Sequence, residues 1–159
     1  IALILANKPD AFVLERAKNL NIPSFVFTGK EFRHSELVLE KLREERIDFI
    51  VLAGFMLLVP KYLVEAFPNK IVNIHPALLP SYGGKGMYGD NVHKAVIDNR
   101  ETKSGISIHF VNERYDEGNI IFQAETRIEE KDTADDLAAK IHALEYKHFP
   151  RVIGEVLLK

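Results

Sequence analysis

Cysteine is absent from the 159 residues. That absence removes disulfides, thiolate nucleophiles and cysteine-built zinc sites together. It is compatible with a reducing compartment, and we expect the cytoplasm. Charge of one sign is lacking too: 21 Lys and Arg against 23 Asp and Glu leave a net charge of −2. With a sequence pI of about 6.3, this argues against a nucleic-acid partner held by a broad basic surface, though not against a local anion site. No apolar run approaches the roughly 20 residues of a membrane helix, and no signal-peptide pattern opens the chain. No membrane partner is therefore expected. P-loop, G-x-S-x-G, EF-hand, HExxH and HxxEH patterns are missing, as are internal repeats, low-complexity tracts and linkers.

What remains is an ordinary globular composition, 47% hydrophobic and 28% charged, in a length suited to one domain spanning residues 1–159. Apolar strand patterns occur at 1–6, 24–27, 48–55 and 70–75, separated by helical patterns at 10–20, 35–47 and 60–68. Alternation with continuous apolar strands predicts a parallel sheet covered on both faces. After Pro80 the pattern changes. A helix is expected at 91–99, then two long strands, 104–111 and 119–128, joined by the short connection NERYDEG. These form an antiparallel hairpin. Thr133 and Asp136 then open a long C-terminal helix with a capping-box-like start. The predicted fold is a Rossmann-like three-layer α/β/α domain whose mixed sheet is mainly parallel and ends in an antiparallel hairpin. The chain opens on Ile1 within a strand-like run, so a further strand is expected upstream.

Candidate chemistry gathers at KIVNIHPALLPSYGGKG, residues 70–86. Asn73 and His75 are two apart on a strand and share a face, at the C-terminal strand end where open α/β sheets bind ligands. An amide N–H and an imidazole together suit a developing oxyanion; the alternative is a turn cap beside a satisfied polar residue. Gly84–Gly89 formally reads G-x-G-x-x-G. Seven residues with two prolines separate Gly83 from the strand, so a glycine loop beside the strand end is expected, not a dinucleotide site. Asp116, in the hairpin connection, is either a solvated turn or a carboxylate that orients His75. His142 and Glu145 share a helix face, either as substrate contacts or as a solvated stripe. His34, His93, His109, His142 and His148 make no metal-binding pair on a recognisable helix, and no metal is expected.

The strings VLAGFM, VNIHPALLP and HFVNERYDEGNIIFQ, in that order, resemble the formyltransferase family over nearly the whole chain. The resemblance implies transfer of a formyl group from the cosubstrate 10-formyltetrahydrofolate to the primary amine of glycinamide ribonucleotide, a purine-biosynthesis step. Pro76 stands where relatives acting on methionyl-tRNA or hydrolysing formyltetrahydrofolate usually have Ala or His, and so favours the purine acceptor. Hydrolysis of formyltetrahydrofolate and a non-catalytic folate- or nucleotide-binding module are the alternatives. By matching position, Asn73, His75 and Asp116 are implied as catalytic, with Asp116 holding His75 protonated. The folate slot is implied at Met56, Leu57, Leu58, Val59, Val64, Ile71, Asn73, Asn112, Glu113, Arg114, Tyr115 and Asp116. Pro76, His142 and Glu145 are implied near the ribonucleotide. Leu57 departs from the family's frequent Arg, and the 81–92 loop reads long. The family's glycine/serine phosphate loop is expected before residue 1.

Overall fold

The structure, a computed structural model, describes residues 1–158. Strands β1 (Ile4–Ala6) and β2 (Ser24–Val26) pair in parallel. So do β3 (Ile50–Leu52) and β4 (Ile71–His75), with Leu52 opposite Asn73. The hairpin of β5 (Lys103–Phe110) and β6 (Ile120–Arg127) runs antiparallel and attaches through β5 to β4, also antiparallel. The second ladder therefore has the order β3-β4-β5-β6, and β1-β2 forms a separate one. The mixed α/β architecture is the one the sequence pattern predicts.

Parallel neighbours need crossover connections, and helices supply them. Helix α1 (Phe12–Asn19) links β1 to β2. Helices α2 (Gly29–His34) and α3 (Leu37–Glu44) link β2 to β3, and α4 (Lys61–Ala66) links β3 to β4. Helix α2 was not foreseen from the sequence, although T-G-K-E carries its signal. The Thr28 hydroxyl accepts from the Glu31 amide while the Glu31 carboxylate accepts from the Thr28 amide, the reciprocal pair of a capping box. In α1, Ala17 is buried, whereas Leu20 just past its end is exposed. The predicted run 48–55 is shorter as a strand than expected, because Ala53–Phe55 leave the ladder to wall a cavity.

The strand faces divide the core. Val72 and Ile74 of β4, with Ile106 and Ile108 of β5, pack beneath α5 (Asp90–Asp98) and α6 (Ala134–Leu157) through Val92, Val96, Leu137, Ile141 and Val152. Truncating one of the isoleucines or Leu137 to Ala would cost about 2–5 kcal/mol. The opposite face of β4 begins with Ile71, which joins Phe27, Phe32, Leu39, Leu42 and Leu63 in a second cluster. Further along that face stand Asn73 and His75. The expected capping box at Thr133 and Asp136 is formed and starts α6. That helix brings His142 and Glu145 over the end of β4, where both line the same cavity as His75.

Candidate active site

Two cross-strand pairs build the floor of the site. Asn73 lies opposite His109, and His75 opposite Ser107. Residues two apart on a strand share a face, so these four polar side chains form one patch at the strand ends. Ser107 ties down the chain that follows the strand: its hydroxyl donates to the Ala77 carbonyl at 2.7 Å and accepts from the Leu79 amide at 2.9 Å. The Gln123 amide donates to the Leu79 carbonyl and to the Ser107 hydroxyl. The two prolines of HPALLP thus leave the ladder along a fixed path.

His75 is 3% exposed and meets an acceptor on each side. Its Nε2 donates to the Tyr82 carbonyl at 2.7 Å, and its Nδ1 lies 3.5 Å from Asp116 Oδ2. Two acceptors favour the imidazolium, but burial opposes it and wins. The His75 pKa is lowered by burial, with Asp116 and the Tyr82 carbonyl pulling it partly back and His109 pushing it further down. The ring is therefore predominantly neutral near pH 7, in contrast to the expectation that Asp116 holds it protonated. A carboxylate at this distance cannot offset the solvation lost at so buried a site.

Asp116 holds three groups together. Besides His75, its Oδ2 accepts from the Gly84 amide at 3.0 Å and its Oδ1 lies 3.6 Å from His109 Nε2. Burial pushes its pKa up. The His109 contact, the charge of His75 and the Gly84 amide together outweigh that and leave the carboxyl below its usual value. Its backbone is left-handed, with φ of 56°, a conformation that Asp adopts at little cost. Gly84, at φ of 94°, makes the reciprocal turn in the loop above.

Around this patch opens a cavity of about 690 Å³, a size typical of small-molecule sites. One wall comprises Leu52–Val59 with Asn112, Arg114, Tyr115 and Asp116; the other comprises Pro76, Gly84–Gly89, His93, His142, Glu145 and Tyr146. Most of the residues singled out in the sequence thus meet here: Asn73, His75, Asp116, Met56, Leu57, Leu58, Val59, Asn112, Arg114, Tyr115, Pro76, His142 and Glu145. Three do not. Ile71 shares the face of Asn73 and His75, but at the start of the strand, and is sealed in the core. Val64 packs from α4 onto that same cluster. Glu113 points away from the cavity, 4.0 Å from Lys61.

The glycine loop expected beside the strand end lines the cavity, and Glu145 is partly desolvated there. Its pKa is raised by burial, with His142 partly offsetting the effect. His109 and His93 were set aside in the sequence as making no metal pair. The alternation of Ser107 and His109 with Ile106 and Ile108 was the available signal for His109. Among the described residues no group of three or more His, Asp or Glu is placed to hold a metal ion.

The sequence matches the family described as formyl transferase over residues 1–153, and the chain belongs to that family. Among curated relatives, it is 43% identical over 162 residues to the chloroplastic phosphoribosylglycinamide formyltransferase of Arabidopsis thaliana, covering 98% of this chain and 55% of that protein. To phosphoribosylglycinamide formyltransferase of Bacillus subtilis it is 38% identical over 160 residues, covering 98% of this chain and 80% of that protein. The chain thus spans about half the length of the plant relative and four fifths of the bacterial one. Its structure superposes on the crystal structure of phosphoribosylglycinamide formyltransferase from Bacillus Halodurans with a TM-score of 0.90. That match has 36% sequence identity and covers 100% of this chain and 81% of the other.

Proposed function

We propose that the protein transfers the formyl group of 10-formyltetrahydrofolate to the primary amine of glycinamide ribonucleotide in purine biosynthesis. The observation that carries this reading is the meeting of Asn73, His75 and Asp116 at the centre of one cavity with two dissimilar walls. Met56–Val59 form an apolar stretch, and Asn112, Arg114, Tyr115 and Asp116 beside it bring polar and loop backbone groups to the edge of a flat pterin. The wall of Pro76, His142 and Glu145 offers a carboxylate suited to a ribose diol.

The amine lone pair attacks the formyl carbon, and the C=O π pair moves onto oxygen. Asn73 N–H, together with His75 Nε2–H once it turns from the Tyr82 carbonyl to the substrate, stabilises that oxyanion, a contribution realised only in the transition state. The attacking nitrogen loses a proton, which Asp116 and His75 help relay. Collapse re-forms the C=O bond and expels N10 of tetrahydrofolate, which takes up a proton. An imidazole with a lowered pKa parts readily with a second proton once it has gained one, which suits it to this relay. The substrate amine is the nucleophile, so no nucleophilic side chain is required. We place the reaction in the cytoplasm, although the plant relatives are chloroplastic.

Incubation with 10-formyltetrahydrofolate, with and without glycinamide ribonucleotide, tests the reading. Turnover that requires the amine supports it. Equal formate release without the amine makes the protein a hydrolase, and folate binding without turnover makes it a binding module.

A further inference from the structure

His93 is 4% exposed, lies in the first turn of α5 and forms part of the cavity wall. Its Nδ1 is buried with no hydrogen-bond partner among the described residues, a deficit worth about 1–3 kcal/mol. A half-turn of the ring exchanges nitrogen and carbon positions without changing its shape, so a nitrogen can be offered to the cavity in either orientation. Burial lowers its pKa, with His142 and His75 adding to the effect and Asp90 opposing it. The ring is therefore neutral near pH 7 and able to donate or accept.

We propose that His93 is an acceptor-binding residue whose imidazole hydrogen-bonds the amide linking the reactive amine to the ribose. This rests on the formyl-transfer reading above. It follows from the makeup of the wall. In the reading above His75 serves the reacting centre and His142 with Glu145 the ribose end, and His93 lines the same cavity, near enough to His75 and His142 for either, when protonated, to lower its pKa. The acceptor has the same three parts: amine, amide and diol. A neutral ring suits an uncharged amide better than a cation does.

The test compares wild type with His93→Leu and His93→Gln. His93→Leu is expected to raise KM for glycinamide ribonucleotide about tenfold, with kcat and KM for the formyl donor within about twofold. Gln, which can still hydrogen-bond, should recover part of the loss. A carbocyclic inhibitor with an ether in place of the amide should bind wild type and His93→Leu equally. Unchanged acceptor KM in His93→Leu overturns the proposal. So does an equal loss towards the ether analogue, or parallel changes in both KM values, which would mark a structural role. A wild type that neither binds nor formylates glycinamide ribonucleotide overturns the functional reading itself, and this inference with it.

Discussion

The amide nitrogen of Asn73 lies 3.2 Å from Nε2 of His109, its direct partner across the β4–β5 ladder. His109 Nδ1 donates to the Phe110 carbonyl at 2.8 Å, and its Nε2 faces both the Asn73 amide and Asp116 Oδ1, the latter 3.6 Å away. His109 thereby fixes the Asn73 side chain from the floor of the site. His109→Phe keeps the volume and removes that partner. We expect kcat to fall about 10–100-fold with both KM values within about threefold, since misoriented catalytic groups lose rate more than binding. Steady-state kinetics check this, and unchanged kcat would remove His109 from the positioning of Asn73.

His75→Ala should lower formyl transfer about 100- to 1,000-fold, the usual effect of losing a transition-state donor, while affinity for the folate persists. Single-turnover rates and fluorescence titration separate the two. Near-normal turnover would sink the catalytic assignment.

Asp116→Asn removes a charge that raises the His75 pKa against burial. That pKa should fall further, and the limb of the pH–rate profile set by His75 should move to lower pH. An unmoved limb, measured where chemistry limits the rate, would exclude Asp116 from the mechanism.

Burial raises the Glu145 pKa, so the folded state binds this proton more tightly than the unfolded chain. Ionised Glu145 therefore costs stability once the pH exceeds the ordinary carboxyl value of 4.5. Glu145→Gln should raise the melting temperature at pH 7 and, by replacing a charged two-oxygen acceptor of the diol with one neutral oxygen and a donor, raise acceptor KM about tenfold. A lower melting temperature with unchanged KM would contradict both halves.

A Cβ on Gly118 would lie 1.7 Å from the Phe110 carbonyl oxygen, whereas one on Gly84 would meet nothing within 4 Å. Gly118→Ala should therefore prevent the hairpin from closing and yield little folded protein. Gly84→Ala carries only the left-handed backbone penalty of about 1–2 kcal/mol. Circular dichroism melts of the two variants should differ sharply, and similar melts would show that the hairpin yields at Gly118.

The arrangement of strands was readable because each parallel strand is a continuous apolar run and the hairpin a pair of long ones. The trio proposed as catalytic was expected through resemblance: Asn73 and His75 share a strand face, but the path that brings Asp116 to them is not local. That path depends on a left-handed residue and on the Gly84 amide, and neither has a pattern in the sequence. Ile71 is the converse: the resemblance implied it at the folate slot, and it shares the face of Asn73, but its end of the strand is covered by α4 and the phenylalanines. His93 gave no signal beyond its type, because a buried polar atom without a partner becomes visible only once its neighbours are known.

The β5–β6 ladder slips by one residue at Ile108 and His109, so that Phe122 pairs with the first and Ile120 with the second. Such a bulge bends the strand and tightens its twist, here at the root of the loop carrying Asp116. Surface connections ordinarily tolerate changes of length well, since loop closure costs grow slowly with added residues. This one is an exception for reasons of aim rather than stability. In a scan of single-residue insertions and deletions, the connection between Val111 and Glu117 would stay foldable at positions where activity is already gone. The hairpin's length is thus set by chemistry at its tip rather than by the sheet it completes.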